Sequence, residues 1–249
     1  MSAAVGDADP FGTTTDADAY VPRPACEQAL AELIRELRDG RKLLALTGPT
    51  GIGKTQLLRV LAARLQDEAE VLILPYAGLG FEDLCRWSLG LLGEPLARDA
   101  QVEPRDALLA AAQRRADDGR MLVLALDDAS GLPPTAARLL TRLVSEADGA
   151  LRLVVVPVDD PRAGRVLAAL GRGLCEVRLN TPMSEPETAA YIEGRLAHHP
   201  PPAEIARRFD EGAVGWLHRA SGGVPRELHH LAFRIQRGIA DPAGDPFAR

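Results

Sequence analysis

Residues 42–55 read Lys42-Leu43-Leu44-Ala45-Leu46-Thr47-Gly48-Pro49-Thr50-Gly51-Ile52-Gly53-Lys54-Thr55. A short apolar run ends at Thr47. A turn with three glycines follows, and Thr55–Leu65 then places Leu57, Leu58, Leu61 and Leu65 at helical spacing. Strand, glycine turn and helix in that order make a cradle for phosphate. Backbone N–H groups of the turn and the N-terminus of the helix aim fixed positive dipoles at the same point. Glycine is needed there because a Cβ would block the approach. The spacing Gly-x4-Gly-Lys-Thr assigns Lys54 to the β- and γ-phosphates and the Thr55 hydroxyl to Mg²⁺. The whole loop, Gly48, Pro49, Thr50, Gly51, Ile52, Gly53, Lys54 and Thr55, is therefore expected to bind a nucleoside triphosphate, ATP, with magnesium. The chain has only two lysines, Lys42 and Lys54, so a chance match to this pattern is rare.

Outward from the loop, the same alternation repeats. Residues 25–38 carry Leu30, Leu33, Ile34 and Leu37 on one helical face, and Gly40 ends that helix. Strand-like runs are Lys42–Thr47, Val71–Pro75, Met121–Leu126, Leu151–Val156 and a weaker Cys175–Leu179. Helical patterns lie between them at Phe81–Leu92, Asp106–Ala116, Pro134–Ala147 and Arg162–Leu170. Apolar strands alternating with helices predict an α/β fold, a parallel sheet covered on both faces. After Asn180 the pattern changes to helices alone, at Ser184–Ala197, Asp210–Ala220 and Pro225–Arg237. The expected organisation is a leader over 1–19, a nucleotide-binding α/β domain over 20–181, a helical domain over 182–238 and a tail over 239–249.

The run Leu122–Leu126 ends in Asp127-Asp128. Acids at the carboxyl end of a parallel strand converge on the ligand crevice. Asp127 is expected to hold Mg²⁺ together with Thr55, and Asp128 to polarise the attacking water. An acidic pair that merely caps the turn before Gly131 and Pro133 is the alternative.

Composition bounds the rest. The 249 residues are 46% apolar, with a net charge of −6. The acidic balance lacks the overall footprint of a nucleic-acid binder. No apolar run reaches the roughly 18 residues of a membrane span, and the acidic N-terminus does not read as a secretory signal. Cys26, Cys85 and Cys175 are scattered, which suggests reduced core thiols and a cytoplasmic location. His198-His199 and His229-His230 are adjacent pairs, unlike the i,i+3 or i,i+4 spacing of helical metal ligands. Trp87 and Trp216 fall in amphipathic helices and read as core or interface anchors.

In this order the motifs resemble those of the AAA+ ATPases, in the branch typified by the ExeA/GspA secretion ATPase and related transposition helpers. The resemblance runs from Asp9 to Ile239. It rests on Asp9-Pro10-Phe11, Tyr20-Val21-Pro22 and Ala29-Leu30 at the start. Near the end it rests on Leu179 to Ser184, Glu187 to Leu196, and Ser221-Gly222-Gly223-Val224-Pro225-Arg226-Glu227-Leu228. It implies strand order 5-1-4-3-2 and a C-terminal helical lid. It implies that Arg226 acts as sensor 2 on the γ-phosphate, and that Arg172, with Arg162 and Arg165 as competitors, is a finger completing a neighbour's site. It also implies a homo-oligomer in the ATP state and an unidentified protein partner.

Two positions depart from the family pattern. The second acid is Asp128 where glutamate is usual, so its carboxylate falls about 1–1.5 Å short, on a scale to which attack geometry is sensitive. The polar residue expected after the fourth strand falls at Val158, or, with a one-residue shift, at Asp159. Both affect hydrolysis and not binding, so slow turnover is expected. Three functions follow: an ATPase that remodels a partner, an ATP-dependent switch or scaffold with little turnover, or a DNA-dependent helper using Arg59, Arg64, Arg114, Arg115 and Arg120.

Overall fold

The computed structural model describes residues 9–12, 19–75, 78–96 and 101–239. These divide into two compact units.

The larger unit, residues 27–50 and 54–180, is the α/β body. Helix α1 (Pro24–Arg38), most of which belongs to this unit, starts with proline at its first position, where the missing N–H costs nothing. Strand β1 (Leu43–Thr47) leads to α2 (Lys54–Arg64), β2 (Ala69–Pro75), α3 (Phe81–Leu91), α4 (Pro104–Asp117) and β3 (Met121–Asp127). After a 3-10 turn come α5 (Pro134–Glu146), β4 (Leu151–Val156), α6 (Ala163–Leu170) and β5 (Cys175–Arg178). All five strands are parallel, in the order β2-β3-β4-β1-β5. That is the order implied by the family resemblance.

Burial follows strand position. Central β4 is buried at every residue, while edge strand β5 buries only Val177 and leaves Glu176 and Arg178 toward solvent. Leu43 and Ala45 of β1, Leu122, Leu124 and Leu126 of β3, and Leu151, Leu153 and Val155 of β4 pack with α3, α4, α5 and α6. The alternate residues Leu44, Leu46, Val123, Ala125 and Val154 have no exposure either. Strand periodicity turns them to the opposite face, which leaves α1 and α2, with fully buried Leu30, Leu33, Leu37, Leu57, Leu58 and Leu61, to cover it. Cys85 is buried inside this body, and desolvation pushes its thiol up to about 12.

The second unit gathers the described residues before Glu27, the loop tip Gly51–Gly53, and residues from Thr181 onward. It holds α7 (Glu185–His198), α8 (Ala203–Ala206), α9 (Glu211–Ser221) and α10 (Pro225–Gln236). Ser184 caps α7: its hydroxyl accepts from the Glu187 N–H, and the Glu187 carboxylate accepts from the Ser184 N–H at 2.7 Å. The core is Met183, Ile192, Ala213, Trp216, Leu217, Leu228, Ala232 and Ile235, joined by Phe11.

Phe11 packs into this core. It is 4% exposed, tilted against Phe209 and edge-on to His229. Buried Arg195 on α7 donates to the carbonyls of Pro10 at 2.7 Å, Ala19 at 3.0 Å and Gly12 at 3.3 Å. Asp9–Gly12 and Ala19–Cys26 thus belong with the helices. The remainder of the expected leader (1–8 and 13–18) and the tail from 240 lie outside the described residues.

Candidate functional site

Thr47 ends β1 at the carboxyl edge of the sheet, so the loop opens where β3, β4 and β5 also end. Gly48 has φ +149, and a Cβ there would overlap the Leu179 carbonyl oxygen beyond β5. No other residue fits that crossing. Lys54, 9% exposed, begins α2 and folds its ammonium back onto the loop, donating to the carbonyls of Gly48 at 2.6 Å and Pro49 at 3.0 Å. Those bonds hold the cation above the first arm of the loop.

Thr55, the next residue of α2, donates its hydroxyl to Asp127 Oδ2 at 2.7 Å. The two are separated by 72 positions in sequence and meet because β1 and β3 end at the same edge. A hydroxyl and a carboxylate oxygen are hard donors of the kind Mg²⁺ takes, with water and phosphate oxygens filling its other positions. The residues present fit that ion. Asp127 also accepts the N–H of Asp128 through Oδ1 at 3.1 Å. Asp128 is exposed, with φ 53 and ψ 43, a left-handed conformation that Asp tolerates better than most residues.

Val158, beyond β4, presents its carbonyl to the Ser130 hydroxyl at 3.1 Å. Its side chain offers no hydrogen bond, and Asp159 beside it is exposed. Both line a cavity of about 360 Å³ together with Thr47, Gly48, Pro49, Glu176, Arg178 and Asn180. Glu176 accepts from Arg178 at 3.0 Å and from the Thr47 hydroxyl at 2.7 Å. These bonds, Arg178 first, hold its carboxyl below the usual range.

In the helical unit, Arg226 is the second residue of α10. Its N–H donates to the Gly51 carbonyl at 3.2 Å. Gly51 has φ +82, and a Cβ on it would lie 2.7 Å from Arg226 Cβ, so this glycine is required by both backbone angle and close approach.

The remaining arginines sort by partner. Arg172 is exposed on the turn before β5. Its competitor Arg162 is paired with Asp160 at 2.8 Å, which holds the Asp160 carboxyl below its ordinary range. Of the arginines considered for DNA, Arg64 pairs with Glu27, Arg114 with Glu94, and Arg115 with Glu70 and Glu94. Arg120 donates to the carbonyls of Gln66 and Ala69.

Sequence reasoning missed Arg23. It is 5% exposed and donates from Nη2 to the Ile52 carbonyl at 2.8 Å. One arginine among many, 29 positions before its partner, carries no local pattern. Only the resemblance at Tyr20-Val21-Pro22 drew attention to its neighbourhood.

A family model described as "AAA domain" matches residues 36–159. General secretion pathway protein A of Aeromonas hydrophila is 32% identical over 221 residues, covering 83% of this chain. The chain spans 39% of that relative's length. Cdc6p from Pyrobaculum aerophilum superposes with TM-score 0.68 at 18% identity, over 92% of this chain and 65% of that one. The Thermotoga maritima RuvB Holliday junction branch migration motor gives TM-score 0.55 at 18% identity, over 91% and 66%. At those identities the structural likeness is one of fold. The chain belongs to the AAA+ family of P-loop ATPases, in the branch typified by the secretion protein. Membership supports binding and hydrolysis of ATP. No helix among the described residues is long and apolar enough to cross a membrane.

Proposed function

We propose that the protein binds ATP with Mg²⁺ in the Gly48–Thr55 loop, hydrolyses it slowly, and uses the ATP state to assemble with copies of itself and remodel a protein partner. The observation that carries this reading is the 2.7 Å bond between Thr55 Oγ1 and Asp127 Oδ2. That contact between the side chains of Thr55 and Asp127, beside buried Lys54, supports their reading as magnesium ligands. Bound magnesium would neutralise charge on the β- and γ-phosphates.

The chain's own residues would act as follows. Backbone N–H groups of Thr50–Lys54 would bind phosphate oxygens, and Lys54 would follow charge as it moves toward the leaving group. Asp128 would orient the attacking water. Arg226 would act on the γ-phosphate, a use suited to a guanidinium. Arg172, exposed and ahead of β5, would complete the site of a neighbouring copy. The short Asp128 and apolar Val158 leave that water poorly held. The same pair favours the second reading, a nucleotide-dependent switch with almost no turnover.

Specific activity measured against protein concentration tests both parts. Isolated protein is expected below about 1 s⁻¹, under the usual enzyme range, with activity per protomer rising as concentration drives assembly. A fast rate independent of concentration contradicts slow turnover and trans completion together.

A further inference from the structure

Arg23 lies just before α1, its guanidinium buried; among the described residues its Nη2 hydrogen-bonds two neutral groups, and its charge also favours the Glu187 carboxylate. Nη2 donates to the Ile52 carbonyl at 2.8 Å and to Cys26 Sγ at 2.9 Å. A Cβ added to Gly53 would stand 3.8 Å from the same nitrogen. Arg23 therefore packs against the tip of the glycine loop. Burying a guanidinium is costly unless its N–H groups are used, and here one is used on the loop itself.

The peptide it holds matters. Ile52 is flanked by Gly51 at φ +82 and Gly53 at φ +113, two residues with little torsional preference of their own. The Ile52–Gly53 peptide turns on ψ of Ile52 and φ of Gly53, so the glycine leaves its orientation softer than a residue with a side chain would, and a bond from outside the loop sharpens it. That peptide is trans and planar, so its C=O and N–H point in opposite directions. Drawing the carbonyl to Arg23 turns the Gly53 N–H away from Arg23. Gly53 immediately precedes α2, so its N–H is among the donors that a helix start leaves for a ligand.

We propose that Arg23 is a positioning residue for the phosphate loop: it sets the Ile52–Gly53 peptide so that the Gly53 N–H meets the polyphosphate, and so governs affinity for nucleoside di- and triphosphates. This rests on the reading of Gly48–Thr55 as a nucleotide loop. In this role Arg23 acts through the Ile52 carbonyl.

The test is calorimetric titration of the wild-type chain, Arg23→Gln and Arg23→Lys with MgADP and with MgATP, beside their melting temperatures. Arg23→Gln is expected to weaken both nucleotides by roughly tenfold, the loss of one charge-assisted bond's worth of ordering. Arg23→Lys, which keeps the cation without the planar fork, is expected at roughly threefold. A purely structural role would lower the melting temperature and leave both affinities in place. Folded Arg23→Gln binding within about twofold of wild type overturns the proposal. Should that variant fail to fold, Arg23→Lys at wild-type affinity overturns it. The Gly53 amide resonance of wild type is expected to move on adding MgADP, and an unmoved resonance also overturns it. Wild type that binds neither nucleotide would instead sink the nucleotide reading itself.

Discussion

In the proposed function, Asp128 is the residue on which the rate would turn. Its backbone is left-handed and its N–H is taken by its neighbour's carboxylate, so the side chain starts from a fixed base and has only its own length to reach with. One more methylene should restore the distance. Asp128→Glu is expected to raise steady-state phosphate release by about tenfold, since a misplacement of an ångström can cost more than that. Asp128→Asn should lower it, and neither should change ATP affinity. A slower Asp128→Glu enzyme would show that reach is not what limits the reaction. The Thr55–Asp127 pair was legible in the sequence because both motifs have fixed spacing and a strand end on which to converge. Arg23 was not, because its partner is a backbone carbonyl far along the chain, and main-chain acceptors leave no mark in a sequence.

At the scale of elements, the sheet was readable for a simple physical reason. A strand buried on both faces must be apolar over most of its length, and β1, β3 and β4 are, Thr47 and Asp127 standing at strand ends and Arg152 alone interrupting β4. The ends were harder. Edge strand β5 alternates and is short, and the four-residue α8 has no period to detect. Asp9–Gly12 gave no helical or strand signal, yet tertiary contacts to Phe209, His229 and Arg195 hold it. His229 reports on that docking. Burial, the Arg195 charge adding to it, lowers its pKa from 6.5 to about 4, with the Asp9 carboxylate and a Phe11 backbone bond acting the other way. Its ring Nε2 lies 2.8 Å from the Tyr191 hydroxyl. A depressed histidine pKa means the unfolded state binds more protons between those values. Stability from this group is therefore complete above about pH 6.5 and lost as pH falls toward 4, by up to about 3 kcal/mol. Denaturant unfolding of wild type and His229→Gln across pH 4–7 is expected to show the acid-side slope shrinking in the variant. Equal slopes would exclude His229 as its source.

At the scale of the whole molecule, the proposal is a slow ATPase built on an AAA+ body. The sheet brings β1, β3 and β4 to one edge. Helix α2 starts there with Lys54 and Thr55, and Asp127 is delivered across the sheet to meet them. Assembly, remodelling and turnover all presuppose that this loop takes MgATP. Equilibrium binding of MgATP to wild type and to Lys54→Ala tests that most directly. The account predicts measurable binding by wild type and a loss of roughly a hundredfold or more in the variant, about 2.7 kcal/mol for a buried charge aimed at phosphate. Wild type that does not bind MgATP, or a folded Lys54→Ala that binds as tightly, would contradict it.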